Sequence, residues 1–268
     1  MTFALTLSFL SGTKKVSHFT QKVPIPSYLL AIAIGAVESR RIGPRSLVWA
    51  EPEMLELAAS DFSDTESMLR AAEDLAGPYD WERFDILVLP PFFPWGGMEN
   101  PCLTFVTPTL LSGDKSNSFV IAHEIAHSWT GNLVTNANME HFWINEGFDV
   151  FLHRKILGRL NGELARHFDH ELHWTNLEED VNQNLGPENP LTALVTNLTE
   201  IHPDDAFSWV PYEKGSAFLW TLEEAVGGSE IFEPFLRSYI QHFANQSITT
   251  DDFISYFKSY FKDRRHEL

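Results

Sequence analysis

The rhythm of apolar and polar positions changes near Gly113 of this 268-residue chain. Before that point apolar residues come in short runs bounded by Gly, Pro and charge, which predicts strands. The runs are Leu29 to Ala36, with β-branched Ile32 and Ile34, then Ser46 to Ala50, Asp85 to Pro90 and Cys102 to Val106. Pro101 and Pro108 flank the last and predict an edge strand. A helix interrupts the series. Ser63 and Glu66 make a capping-box pattern, Met68, Leu69, Ala72 and Leu75 recur at helical spacing, and Gly77-Pro78 stops it. Pro90 to Asn100, rich in Pro, Gly and aromatic residues, predicts a structured loop.

Beyond Gly113 the period is helical. Ser116 to Thr130 lacks proline and glycine and ends at Gly131; Asn145 to Leu157 carries an apolar stripe that closes at Gly158. Glu213 to Val226 ends in Gly227-Gly228, Ser229 opens the next helix, and Thr250 is placed to cap the last. Thr175 to Ser208, rich in Asn, Pro and Asp, predicts irregular loops. Strands followed by helices predict an α+β fold, a small sheet and then a helical half.

Composition adds limits. Hydrophobic residues make up 44% and charged residues 21%, and 8 Trp with 21 Phe can fill a sizeable core. The formal charge of −18 repels phosphate backbones and anionic lipid, so nucleic acid and membranes are not expected partners. That charge suits a cationic ligand such as a peptide's free amino terminus, and it serves solubility equally well. Cys102 is the only cysteine, which points to a reducing, cytoplasmic setting; beside Leu103 it reads as buried filler and not as a nucleophile. No apolar run approaches the roughly 20 residues of a membrane span. Phe3 to Leu10 reads as a poor signal peptide, and Arg265-His-Glu-Leu268 resembles an ER-retention tetrapeptide only loosely.

His123-Glu124-Ile125-Ala126-His127 is an H-E-x-x-H pattern inside a predicted helix. Side chains four apart lie one turn above each other, so both imidazoles can reach one ion. A catalytic zinc needs three protein ligands and one position left for water. Glu124 points to a neighbouring face, where it can take a proton from that water without ligating. The bland alternative is a pair of satisfied histidines on a helix face. Glu146, eighteen residues after His127 in Trp143-Ile-Asn-Glu146-Gly147, shifts the balance. A carboxylate flanked by Trp143, Ile144 and Phe148 is costly to bury unless a cation compensates it. Three ligands and a base in one short window predict one bound Zn²⁺.

These residues carry a family resemblance. H-E-x-x-H followed by eighteen residues and Glu is similar to the gluzincin aminopeptidases of the M1 family, and Gly96-Gly97-Met98-Glu99-Asn100 to that family's exopeptidase loop. Pro101-Cys-Leu-Thr-Phe-Val-Thr-Pro108, Ser128-Trp-Thr-Gly-Asn-Leu-Val-Thr135 and Val210-Pro-Tyr-Glu-Lys-Gly215 resemble its leukotriene A4 hydrolase and aminopeptidase B branch. The likeness runs from about Gln21 to Lys262. It implies a thermolysin-like catalytic domain over residues 36–268, with residues 1–35 as the end of an N-terminal β-domain. It implies a zinc metallo-aminopeptidase acting on peptides with a free amino terminus. Glu99 would hold the α-ammonium, the backbone of Gly96, Gly97 and Met98 would pair with the substrate as an added strand, Tyr212 would donate to the oxyanion, and Asp204 would line a specificity pocket.

The chain departs from that pattern in two ways. The relatives have a further β-rich domain before this region and a helical domain after it. They also carry an acidic residue seven after the third ligand, where this chain has His153, with Asp149 as a candidate stand-in; Phe207 replaces a tyrosine of the lipid pocket. Two alternatives therefore stay open: an enzyme that also hydrolyses a lipid epoxide, and a catalytically weak module that keeps the fold.

Overall fold

The computed structural model describes residues 4–11 and 13–262, without the side chains of residues 4–11, 14 and 15. Phe3 and the closing tetrapeptide lie outside the described residues. The chain forms two compact units, residues 1–69 with 79–128, and residues 70–78 with 129–268.

The first unit opens with an antiparallel hairpin, β1 (Ala4–Ser11) against β2 (Lys14–Thr20). A mixed five-stranded sheet follows, built from β3 (Glu38–Arg41), β4 (Leu47–Ala50), β5 (Asp85–Val88), β6 (Gly97–Met98) and β7 (Leu103–Val106). Its order is β3-β4-β5-β7-β6. β4, β5 and β7 run parallel, while β3 and β6 pair antiparallel at the two edges. Every residue of β5 is buried, as a central parallel strand requires. β7 is thus interior and not the predicted edge strand. The two-residue β6, which the loop-like composition of Pro90 to Asn100 conceals, covers it.

Parallel neighbours need a crossover, and between β4 and β5 it consists of α1 (Pro52–Asp61) and α2 (Thr65–Ala76). Met68, Leu69, Ala72 and Leu75 are buried as their spacing predicts. The predicted cap is different: the Ser63 hydroxyl donates to the Ser60 carbonyl at 2.8 Å, so it tidies the end of α1, a helix the pattern had not disclosed. The strand expected at Leu29 to Ala36 is absent. Ser27–Leu29 is a single tight turn, and Ile32 and Ile34 are 81% and 97% exposed, β-formers with no strand to pair with. The unit ends in α3 (Phe119–Ala126), shorter than the predicted Ser116 to Thr130.

The second unit is helical, with one parallel pair, β8 (Val134–Asn136) and β9 (Gln246–Ile248). Its centre is α4 (Trp143–Asn161), in which every residue from Trp143 to Leu157 is buried. It runs through Gly158 and stops at Gly162. Around it lie α5 (Glu163–Glu179), α6 (Gly215–Ala225), α7 (Ser229–Phe243) and α8 (Thr250–Tyr260). Phe148 stacks on Tyr239 at 4.7 Å, and Trp143 and Phe148 both pack edge-on against Phe253. Thr249, not Thr250, caps α8 in a reciprocal box with Asp252. Thr250 instead accepts the Trp143 indole N–H at 2.8 Å, tying α8 to the start of α4.

Backbone meets backbone where α4 crosses α6. A Cβ on Gly147 would lie 2.7 Å from the Gly215 Cα and 2.9 Å from the Pro211 carbonyl oxygen. No rotamer relieves a clash with main chain. Gly147→Ala should therefore destabilise the protein by about 1–3 kcal/mol, as overpacking typically does, read as a lower denaturant midpoint with unchanged slope.

Candidate active site

Local helix geometry sets the first two donors. His123 and His127 stand one turn apart on α3 and its cap, their rings edge-on at 84° and their Nε2 atoms 3.2 Å apart. Two nitrogens each about 2.0–2.1 Å from a tetrahedral zinc are separated by roughly 3.3 Å. The spacing therefore fits two lone pairs converging on one cation.

Glu124, between them in sequence, is buried at 4% exposure. Its carboxylate lies against the main chain of Gly97 in edge strand β6, where a Cβ would overlap it. Hydrogen bonding to β7 (Gly97 opposite Val106, Met98 opposite Phe105) holds that strand in place. The glycine is thus a space requirement of the carboxylate. Gly96 is exposed, Met98 half-buried, and Glu99 buried at 8% exposure.

Glu146 sits in the first turn of α4, where the helix dipole favours an anion, and Asp149 follows one turn later. His123, His127, Glu146 and Asp149 each offer a ligand atom within 4.8 Å of the others. Three of these four are the predicted ligands; Asp149 had stood only as a stand-in. The donor set, two imidazoles and two carboxylates, suits a divalent zinc.

His153 is buried, its Nδ1 3.9 Å from an Asp149 oxygen and its Nε2 3.6 Å from an Asp169 oxygen. Asp169 also accepts from Arg154 Nε at 2.8 Å and faces His173 Nδ1 at 3.4 Å. Burial would raise the Asp169 carboxyl, but the neighbouring His153 and His173 rings and the hydrogen bond from Arg154 hold it well below the usual carboxylate range. The Asp169 carboxylate in turn raises His173 above an ordinary histidine, against the opposing effect of burial. Asp169 and Arg154 were not singled out in the sequence. They lie 15 residues apart on different helices, and no local spacing signals their pairing.

Tyr212 is half-buried in the middle of Val210–Lys214, a wide-turned helical segment leading into α6. Phe142, Phe207 and Trp209 stand edge-on around its ring at 6.1, 6.0 and 5.4 Å. Asp204 lies on the exposed turn Pro203–Ala206 with its side chain 92% accessible, 3.6 Å from His202.

Comparison with known proteins places the chain and its fold. The model of the peptidase family M1 domain matches residues 61–266. The chain is 57% identical over 253 residues to leukotriene A-4 hydrolase of Xenopus laevis, covering 94% of this chain and 41% of that protein. It is 53% identical over 244 residues to leucine aminopeptidase 2 of Yarrowia lipolytica, covering 88% and 37%. Among solved structures, yeast LTA4 hydrolase in complex with bestatin superposes with a TM-score of 0.93 at 42% identity, over 99% of this chain and 42% of that one. An M1 zinc metallopeptidase from Deinococcus radiodurans shares the fold, with a TM-score of 0.75 at 24% identity over 96% and 56%. The chain thus spans about two fifths of the length of the first two relatives.

Two outcomes follow from the local geometry. Gly97→Ala must push the Glu124 carboxylate aside, so turnover should fall by about 100-fold or more while circular dichroism and thermal midpoint stay near the parent's; parental turnover would mean that the carboxylate position is not critical. Cys102, whose Sγ donates to the Trp81 carbonyl at 3.4 Å, has its thiol pushed up to about 11, chiefly by burial. At pH 8 its alkylation should be slower than that of a free cysteine by on the order of 100-fold, measurable with iodoacetamide and mass spectrometry.

Proposed function

Because the chain belongs to peptidase family M1, we propose that it is the catalytic portion of a zinc aminopeptidase that removes N-terminal residues from peptides. The convergence of His123, His127 and Glu146 beside Asp149 is the observation that carries this reading. Names of relatives support it, since leucine aminopeptidase 2 is 53% identical over most of the chain. In the same reading residues 1–35 are the end of a preceding β-rich domain and residues 36–268 the catalytic domain.

His123, His127 and Glu146 hold the metal. Zinc, when bound, acidifies a water and polarises the scissile carbonyl. Glu124, buried against Gly97, takes the proton of the attacking water and later delivers it to the leaving amine. Tyr212 donates its phenolic hydrogen to the oxyanion that develops on the substrate. The unpaired side of β6 offers the main chain of Gly96, Gly97 and Met98 to an extended peptide, which binds through amide groups and not side chains. Glu99 receives the α-ammonium and so restricts cleavage to the first residue. Asp204 serves as a determinant of the preferred side chain.

No helix among the described residues is long and apolar enough to cross a membrane. The single cysteine and the absence of any possible internal disulfide support a reducing, cytoplasmic setting. Hydrolysis of a lipid epoxide is the second reading, favoured by the 57% identity to leukotriene A-4 hydrolase. Phe207, which lacks the hydroxyl of the tyrosine expected from the family pattern, weighs against it.

Glu124→Gln separates metal binding from proton transfer. The variant should retain about one zinc per chain by elemental analysis and lose roughly 100- to 10,000-fold in turnover of aminoacyl chromogenic substrates. A chelator should abolish the parent's activity, and added zinc should restore it. Parental turnover in the variant would remove Glu124 as the base; a parent that neither binds zinc nor cleaves such substrates would remove the whole reading.

A further inference from the structure

We propose that Glu213, gripped by Arg154, is a positioning residue that fixes Tyr212 in register with the helix carrying Glu146. The inference rests on the role given to Tyr212 above.

Tyr212 is the centre of five residues wound more widely than an α-helix. Such wide turns are rare, occur frequently at functional sites, and persist where surrounding contacts hold them. Here the contacts fall on almost every residue beside the tyrosine. The Pro211 carbonyl and the Gly215 Cα are packed against Gly147, with no room for a Cβ. Glu213, 2% exposed, faces Arg154 with both oxygens, at 3.1 and 2.9 Å from one guanidinium nitrogen. Lys214 Nζ donates to the Thr192 carbonyl at 2.9 Å, and Ser216 Oγ accepts from Arg154 at 3.2 Å. Trp209, on the other side, donates its amide to Asp180.

Two of these anchors belong to α4. Gly147 follows Glu146 directly, and Arg154 lies two turns further along the same buried helix. Arg154 is itself locked by Asp169 at 2.8 Å and is 1% exposed, so its fork has one orientation to offer. The helix that presents Glu146 therefore also sets where Tyr212 stands.

A buried ion pair is poor evidence for stability, because well-packed apolar residues of similar volume often do as well. What an apolar pair lacks is direction. The fork of Arg154 fixes the Glu213 carboxylate, and with it the main chain one residue from Tyr212, to a fraction of an ångström. Catalytic donors need that precision, since a misplacement of about 1 Å can cost on the order of 100-fold.

The test is a double-mutant cycle on the zinc-loaded protein. Glu213→Gln keeps the shape and removes the charge; it should lower kcat about tenfold with KM and zinc content near the parent's. In a Tyr212→Phe background, already impaired, the same substitution should change kcat by less than about twofold, because groups that act through one another are not additive. Equal losses in both backgrounds, or a lower thermal midpoint with parental kcat, would overturn the proposal. Should Glu213→Gln fail to fold, Ser216→Ala, which removes a single Arg154 contact, takes its place with a smaller loss expected to vanish in the same background. Parental kcat in Tyr212→Phe alone would remove the premise and the inference with it. That outcome is distinct from a failure of the aminopeptidase reading, which the parent's own activity decides.

Discussion

Helix α4 is buried around its whole circumference, so the charges it carries must be met inside the protein. Desolvating an ion costs several kcal/mol unless partners compensate. The helix solves this in two halves. Towards its C-terminal end Arg154 meets Asp169 and Glu213, while Lys155 meets Glu223 at 2.7 Å and Glu233 at 3.0 Å. Arg166 of α5 shares Glu223 at 2.7 Å and lies over the Trp220 ring at 4.1 Å. Towards its N-terminal end the side chains are acidic, Glu146 and Asp149, and they belong to one donor group with the His123 and His127 imidazoles. A divalent cation completes that half as the guanidinium and ammonium groups complete the other.

The arrangement has a mechanical consequence. Each ion pair of the C-terminal half ties α4 to a different element, α5 through Asp169, the approach to α6 through Glu213, and α7 through Glu233. Charged contacts in a low-dielectric interior are directional, unlike the ring packing of Phe148, Tyr239 and Phe253 that fills the space beside them. Packing makes the second unit compact; the charges fix which elements meet α4 and at which residues. In the first unit the corresponding work is steric. An edge strand of two residues leaves room for the Glu124 carboxylate only because position 97 carries no Cβ.

The legibility of the sequence follows from this. The proximity of His123, His127 and Glu146 is legible because a helix converts a spacing of four into proximity and because Glu146 opens the next long helix. Met68, Leu69, Ala72 and Leu75 were equally readable, their burial being periodic. Asp169, Glu213 and Glu223 are not legible, since single charged letters carry no sign of whether they face water or a cationic side chain 15 to 68 residues away. At β7 the prolines lie outside the strand, so they leave its ladder intact and do not mark an edge. Leu29 to Ala36 has strand-forming letters, but a strand also requires a partner, and local propensity cannot supply one.

His153 shows how little a single letter says about the surroundings of a site. Read alone, an imidazole seven residues after Glu146 looks like the loss of an acidic partner from the metal's surroundings. Within the fold that imidazole stands between two carboxylates, Asp149 at 3.9 Å and Asp169 at 3.6 Å, and Asp149 itself belongs to the donor group. Asp149 lies one turn from Glu146 along α4, and the histidine stands between it and the Asp169 and Arg154 pair behind. The buried imidazole thus has a carboxylate on either side, one of them in the donor group and the other paired with Arg154. A substitution at a metal site is therefore better judged by the charge of the whole surrounding shell than by the letter at one position.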